Sequence, residues 1–215
     1  VYRWPVQSQV MRDICTWWRS NAEAGQASLL LAYSLGKAQR VLAGLDPSIG
    51  PIVVHDAIEP LNQAYRAAGV PLPGTRSIAG LDRAARRRAL VIAPPAAQDG
   101  AWLRGLGEHR DAFASGWMQL RGARRRQGLD RGFVLSDHAD WPGLQQAIRA
   151  TGAQRVIVTH GYEAVLVRWL HEQGLQADSL RTEYGQEDAT APVAAHSVVG
   201  GVHGASGTAG ADPGA

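Results

Sequence analysis

The chain has one cysteine, Cys15, among its 215 residues. An internal disulfide is therefore impossible, and this excludes the small secreted folds that depend on such bridges. The sequence also lacks a signal peptide and any run of about 18 apolar residues that would span a membrane. We therefore expect a soluble, cytoplasmic protein. Because the first residue is Val1 rather than methionine, we also expect a fragment of a longer protein.

Lysine is nearly absent as well, because Lys37 is the only one and arginine supplies the remaining positive charge of a chain with formal net charge +3. Arginine favours two-point contacts with phosphate and carboxylate groups, although a high arginine share can equally reflect genomic base composition. The composition therefore gives some support for an anionic partner. Hydrophobic residues make up 45% of the chain, which is enough for the packed core of one large or two small domains.

Short apolar segments of strand length alternate with segments of helical periodicity along the chain. This alternation predicts an α/β fold with a parallel sheet and helices on both faces. The predicted strands lie at residues 27–33, 52–55, 89–93, 111–120, 132–135, 155–158 and 176–181. The predicted helices lie at residues 6–24, 37–43, 59–68, 82–88, 102–106, 142–150 and 163–173.

Two of the predicted strands, 132–135 and 155–158, are each followed by a hydroxyl residue and then a histidine. The segment between them has helical spacing, so the three elements form a predicted βαβ unit with parallel strands. His138 and His160 would then emerge at the same carboxyl edge of one sheet, which is where open α/β sheets bind their ligands. If the two strands are adjacent, the two imidazoles share one site.

The residues around the first histidine suit two kinds of chemistry. Asp137 and Asp140 flank His138, and imidazole with carboxylate is a common ligand set for divalent metals as well as for acid–base catalysis. No HxH, HExxH or CxxC pattern supplies further metal ligands. The missing ligands must come from elsewhere, or the histidines are structural.

Cationic side chains provide a second set of candidates. A strand, a glycine turn and a helix starting near Lys37 form an arrangement that favours phosphate binding, although the turn is not a Walker loop. The alternative is a tight turn with a solvated lysine. Two arginine clusters would neutralise nucleic-acid phosphates or would simply be solvated surface. They consist of Arg83, Arg86, Arg87 and Arg88, and of the 121–126 segment with Arg124, Arg125 and Arg126.

Three segments, in the same order, resemble motifs of the β-CASP branch of the metallo-β-lactamase nucleases, which includes RNA 3′-end processing factors and ribonucleases. Residues 32–40 are similar to its Ala-Leu-Gly-Arg-Ala-Gln segment, 136–140 to its Ser-Ala-His-Ala-Asp motif and 158–161 to its Val-His-Gly motif. The resemblance extends over about 1–184. Residues 114–118 are similar to the Ser-Gly strand of the same branch, which precedes the return to the lactamase fold. Further similarity is to bacterial exonuclease-like proteins associated with a DNA ligase and a helicase, at 2–5, 44–50 and 59–62.

The resemblance implies an incomplete β-CASP domain at 1–130 and the returning C-terminal segment of a metallo-β-lactamase fold at 131–184. Residues 185–215 have the composition of a disordered tail. The resemblance also implies that His138 contacts the scissile phosphate and protonates the leaving group. His160 would be a ligand of a zinc or manganese ion, and Ser136, Asp137 and Asp140 would support the site, together with nucleic-acid contacts from Lys37 and Arg40.

These implications describe a metal-dependent phosphodiesterase that acts on DNA or RNA, with a DNA ligase and a helicase as functional partners. The HxHxDH metal cluster of such enzymes does not occur in the sequence, so we expect the chain to be inactive alone. Asp137 also departs from the small residue that usually precedes the histidine. Two alternatives stay open at this point, a non-catalytic nucleic-acid clamp and an unrelated α/β binding protein with structural histidines.

Overall fold

The computed structural model of the chain describes residues 2–98, 101–120 and 128–180. Seven strands and six α-helices lie within these residues. The strands are β1 (Ala27–Leu31), β2 (Ile52–Val54), β3 (Leu90–Ala93), β4 (His109–Ala114), β5 (Arg131–Phe133), β6 (Arg155–Val158) and β7 (Gln176–Ser179). The helices are α1 (Gln7–Glu23), α2 (Lys37–Leu42), α3 (Glu59–Ala67), α4 (Arg83–Arg86), α5 (Trp141–Thr151) and α6 (Glu163–Glu172).

Five of the strands form one parallel sheet in the order β2-β3-β1-β4-β5. The central strand β1 pairs with β3 on one side and with β4 on the other. Along the chain, the connection after β1 leads toward β2, whereas the connection after β4 leads to β5 on the opposite side. Connections that diverge in this way leave a crevice at the carboxyl ends of the two strands.

Apolar side chains cover both faces of this sheet. All five residues of β1 are buried. Leu30 packs on one face with the apolar sides of α1 and α2. Leu29 and Leu31 point to the opposite face, where they pack with Leu103 and Met118 of two short 310-helices. Strands buried on both faces carry continuous rather than alternating apolar residues, and the predicted α/β fold with a parallel sheet and helices is confirmed.

The predicted βαβ unit of the two histidine-bearing segments is wrong. β5 pairs with β4 at the edge of the five-stranded sheet, whereas β6 pairs with β7 in a separate two-stranded parallel sheet. The βαβ unit of this region is therefore β6-α6-β7, packed around its own small apolar cluster of Val158, Leu170 and Ala177. Short apolar strands do not encode their partners in their own periodicity, and the spacing alone therefore suggested the nearer one.

The predicted strand at 111–120 is also too long. β4 ends at Ala114, and a 310-helix follows at Gly116–Gln119. Ser115 is the reason, because its hydroxyl accepts a hydrogen bond from the Trp117 backbone at 3.3 Å and turns the chain out of the sheet.

Some predictions fall on residues about which the structure gives no description. Arg124, Arg125 and Arg126 lie outside the described residues, as does the tail predicted at 185–215. The domain division at 130 stays a prediction. Among the described residues, no helix combines the length and the apolar character needed to span a membrane.

Gly50 provides a test of the packing beside β2. A Cβ atom at this position would meet the carbonyl oxygen of Arg88, which also accepts a hydrogen bond from Trp18 Nε1 at 2.9 Å. Because that oxygen belongs to the backbone, Gly50→Ala should lower the free energy of unfolding by about 1–3 kcal/mol. Gly74→Ala is the matched control, since nothing lies within 4 Å of its added Cβ. Urea unfolding measures both, and equal losses would contradict the expectation.

Candidate functional site

The candidate site lies at the carboxyl edge of the five-stranded sheet, where the connections after β1 and β4 diverge. The turn after β1 leads through Gly36 into α2, and Gly36 has φ +79°, a conformation that favours glycine. After β4, Gly116 approaches the loop that follows β5, since an added Cβ would lie 3.0 Å from the Ser136 Cβ. Three loops therefore meet at this edge.

A buried glutamine holds the turn after β1. Gln39 is 1% exposed, and its side-chain oxygen accepts a hydrogen bond from the Gly36 backbone at 2.8 Å. Its amide nitrogen donates to the carbonyl oxygen of Ser34 at 3.0 Å and to Asn62 Oδ1 at 2.8 Å. A buried amide with its partners in place contributes to stability, whereas an unpaired one costs about 1–3 kcal/mol. The turn is thus fixed from inside the protein.

The network continues from Asn62, which is fully buried, to Glu59. Asn62 Nδ2 donates to Glu59 Oε2 at 3.2 Å, Thr75 Oγ1 donates to the same oxygen at 2.6 Å, and Arg66 Nη1 donates to Glu59 Oε1 at 2.9 Å. Partial burial raises the pKa of the Glu59 carboxyl, but the hydrogen bonds from Thr75, Arg66 and Asn62 outweigh it and hold the pKa below its usual range.

Glu59→Gln tests this network through the pH dependence of stability. Since the folded-state pKa of Glu59 is lowered, its ionised form stabilises the fold above the unfolded value of about 4.3. The stability difference between wild type and Glu59→Gln should therefore be largest near neutral pH and should disappear as the pH falls through the lowered folded pKa. Urea unfolding between about pH 7 and pH 3 measures it. A difference that is constant with pH would contradict the network.

Lys37 and Arg40 of α2 contact the loop that follows β5. Lys37 Nζ lies 3.0 Å from Asp137 Oδ2, and Arg40 Nη1 lies 3.7 Å from Asp137 Oδ1. The Lys37 ammonium is also 5.3 Å from the centroid of the Tyr33 ring. The residue is 4% exposed, so the predicted alternative of a solvated lysine is wrong. The two predicted phosphate-binding cations are brought together at the site, already paired with a carboxylate.

Loop 136–140 is held on both sides of His138. The Ser136 hydroxyl accepts a hydrogen bond from the His138 backbone at 3.2 Å, and Trp4 Nε1 donates to the His138 carbonyl oxygen at 2.9 Å. Asp140 caps α5 by accepting from the Gly143 backbone at 2.9 Å, and it also accepts from the Trp4 backbone at 3.2 Å. The His138 residue itself is exposed, so a fixed backbone presents an accessible imidazole.

His160 lies at the carboxyl end of β6 and is exposed. Its Nδ1 is 3.1 Å from Thr159 Oγ1. The segment at the start of the chain links this region to loop 136–140, because the Tyr2 ring stacks on Trp4 at 5.4 Å between centroids and the Tyr2 hydroxyl lies 3.4 Å from that of Tyr162. The hydrogen bond with Tyr162 and partial burial raise the pKa of Tyr2.

The described residues do not by themselves fit a metal ion. Within ranges 2–98, 101–120 and 128–180, no three histidine, cysteine, aspartate or glutamate side chains come together. A catalytic metal usually has three protein ligands and an open position. Any metal at this site would therefore need ligands from outside the described residues.

Two of the arginines predicted as solvated or phosphate-binding have structural partners. Arg86 Nε donates to the carbonyl oxygen of Leu81 at 2.8 Å, and Arg88 Nη2 donates to that of Ile49 at 2.9 Å. These bonds hold the connections around α4 and before β2. Because Arg86 and Arg88 make these hydrogen bonds, the 83–88 cluster has fewer guanidinium groups available for phosphate than its sequence suggests.

Several residues at the site were not found from the sequence. Gln39 and Asn62 lie in helices, where polar side chains usually face solvent, so their burial was not expected. Trp117 is 48% exposed and Tyr33 is 40% exposed, and both follow strands that form the crevice. A polar residue within an otherwise apolar helix face is the signal that could have identified Gln39.

A curated protein of Opitutus terrae, named as a probable DNA ligase, is 35% identical to this chain over 176 residues. The similarity covers 82% of this chain and 17% of that protein, so the chain spans less than a fifth of its length. No family model matches the chain. The similar region is therefore a small part of a much longer protein, which has room for several further domains.

Proposed function

We propose that the chain is part of a metal-dependent phosphodiesterase that cleaves nucleic acid. The observation that carries the proposal is the exposed imidazole of His138, presented at the carboxyl edge of the sheet by a backbone that α2 and Trp4 hold in place. Imidazole is the side chain best suited to donate a proton near neutral pH. His138 would protonate the leaving oxygen, as the β-CASP resemblance implies.

The surroundings of His138 support a phosphate substrate. Arg40 is about one-third exposed and lies beside the loop that carries His138. Its Nε donates to Gln7 Oε1 at 2.9 Å and its Nη1 to the Ser136 carbonyl oxygen at 2.6 Å, so its remaining nitrogen, Nη2, would donate the charge-assisted hydrogen bond to a phosphate oxygen. A phosphodiester held by Arg40 would thus be close to the proposed proton donor.

Exposed aromatic rings near the site suggest that the phosphodiester substrate is part of a nucleic acid. Trp117 and Tyr33 are exposed residues that follow β4 and β1, the two strands at the crevice, and bases stack on such rings. The Opitutus terrae protein bears the name of an enzyme that acts on DNA. We therefore propose DNA or RNA as the substrate, with a DNA ligase and a helicase as functional partners.

The remainder of the active site would come from outside this chain. Parallel sheets are normally covered on both faces, yet β6 has Ile157 42% exposed and the sheet has two strands. We propose that β6 and β7 belong to a larger metallo-β-lactamase-like sheet. In that setting His160 would supply one ligand of a zinc or manganese ion, and the other ligands would lie outside the described residues.

Two other functions have less support. A ligase that works through a lysine nucleophile needs an accessible neutral amine, whereas Lys37, the one lysine of the chain, is buried and paired with Asp137. A clamp without catalytic activity remains an outcome of the experiments below, because it would need the cations and aromatic rings but not His138.

His138→Ala and His160→Ala should differ in the full-length protein that we propose contains this chain. Because His138→Ala removes the proposed general acid, its cleavage rate should be roughly a hundredfold to ten-thousandfold below that of the wild type, with metal content unchanged. Loss of a ligand should lower both metal content and rate in His160→Ala. Metal analysis and nuclease assays measure these outcomes, and the 215-residue chain alone should be inactive.

A substrate with an activated leaving group provides the control for this assignment. A nitrophenyl phosphodiester needs little protonation of its leaving oxygen, so it should recover much of the rate lost in His138→Ala. Equal metal depletion in both variants, or no recovery with this substrate, would show that the roles are assigned wrongly. Full cleavage by His138→Ala would favour a different proton donor, and binding without cleavage by the wild type would favour the clamp.

Trp117→Ala tests the aromatic surface. Stacking contributes about 1–3 kcal/mol per base, so the affinity for a single-stranded oligonucleotide should fall by roughly fivefold to 150-fold. Leu120→Ala is the control, since Leu120 is an exposed apolar residue of the same segment, 36% exposed, without a ring. Fluorescence anisotropy at fixed salt measures both. Equal losses of affinity in the two variants would show that the Trp117 ring does not stack on a base.

A further inference from the structure

Asp137 directly precedes His138 and has no part in the proposed proton transfer. Its carboxylate is instead directed at α2, with one oxygen 3.0 Å from Lys37 Nζ and the other 3.7 Å from Arg40 Nη1. Asp137, the residue before the proposed general acid, therefore contacts the helix that follows the central strand β1.

The burial of Lys37 makes this tie strong. The Lys37 side chain is 5% exposed, whereas that of Asp137 is 43% exposed. A buried ammonium group without a partner costs several kcal/mol, and among the described residues Asp137 is the carboxylate that pairs with Lys37. A loop conformation that moved Asp137 away would leave this charge uncompensated, so the paired conformation is strongly favoured.

Further contacts extend the tie on both sides of Asp137. Arg40 Nη1 donates a hydrogen bond of 2.6 Å to the carbonyl oxygen of Ser136, and the Ser136 hydroxyl accepts from the His138 backbone at 3.2 Å. The backbone of residues 136–138 thus has fixed contacts to α2, while the imidazole extends into solvent.

We propose that Asp137 is a positioning residue, whose ion pair with the buried Lys37 holds the backbone from which His138 reaches the leaving oxygen. This inference rests on the proposed function, since it concerns the same proton transfer. The rival explanation is that Asp137 only neutralises Lys37 and so contributes to stability alone. The two explanations differ when both charges are removed together.

Asp137→Ala and the double variant Lys37→Met/Asp137→Ala separate stability from positioning. Asp137→Ala leaves a buried charge unpaired, so both melting temperature and rate should fall. The double variant has no buried charge and should regain most of the melting temperature. Its loop keeps the contacts from Arg40 and Trp4 but loses the Asp137 contact to α2. Its kcat should therefore stay about 10- to 100-fold below wild type, as expected for a misplaced catalytic group, with metal content unchanged.

Asp46→Ala is the matched control. Its carboxylate is 45% exposed, close to the 43% of Asp137, and pairs at 3.3 Å with Arg19, which is itself 49% exposed. The substitution therefore removes a carboxylate of similar exposure from a surface ion pair away from the site. Its kcat should equal that of the wild type.

The role of His138 in this effect is tested by adding His138→Ala to the double variant. A residue that acts through His138 has little further effect once His138 is gone, so the triple variant should match His138→Ala alone. The double variant should also recover with the nitrophenyl phosphodiester. A kcat that returns with the melting temperature, or an undiminished further loss in the His138→Ala background, would overturn the positioning role.

Hydrogen exchange provides a readout that does not depend on catalysis. In the 215-residue chain, the His138 amide should exchange at least about tenfold faster in the double variant than in the wild type, because local opening becomes easier. Unchanged protection would overturn the inference even if the enzyme is a nuclease. A wild-type full-length protein that cleaves no nucleic acid would instead overturn the proposed function.

Discussion

Burial of the five-stranded sheet on both faces is the constraint on which the rest of the structure depends. β1 lies between β3 and β4 with one apolar cluster on each face, and all five of its residues are buried. Its backbone groups are satisfied by the neighbouring strands. Side chains that could bind a ligand are therefore expected at the ends of the strands. The connections after β1 and β4 diverge and leave a crevice there, which makes it the candidate ligand site.

The candidate site is built outward from this core by buried polar contacts. Gln39 and Asn62 fix the turn after β1 and thereby the start of α2. The start of α2 places Lys37, whose burial requires a carboxylate from another loop. Asp137 supplies this carboxylate, and the pair thereby places the neighbouring residue His138 at the site. Gln39, Asn62 and Lys37 are buried polar groups that need these partners, so the backbone position of His138 follows from the contacts beneath it.

The two histidines belong to different parts of the fold. His138 follows the edge strand of the five-stranded sheet, and His160 follows β6 of a two-stranded sheet with its own apolar cluster. Residues at the start of the chain connect the two regions through Trp4, Tyr2 and Tyr162. A site that used both histidines would therefore lie at a junction between two packed units, an arrangement common for ligand sites.

The amino-acid pattern alone determined the order and type of most elements, because apolar periodicity reflects burial that each segment needs wherever it packs. It also placed Lys37 at a helix start and His138 beyond a strand end, since both follow from local signals. Only the tertiary structure decided which strand pairs with β6, that Lys37 is buried and that Asp137 is its partner. Strand partners and buried ion pairs join residues far apart in the chain, and their energies depend on surroundings that no local pattern contains.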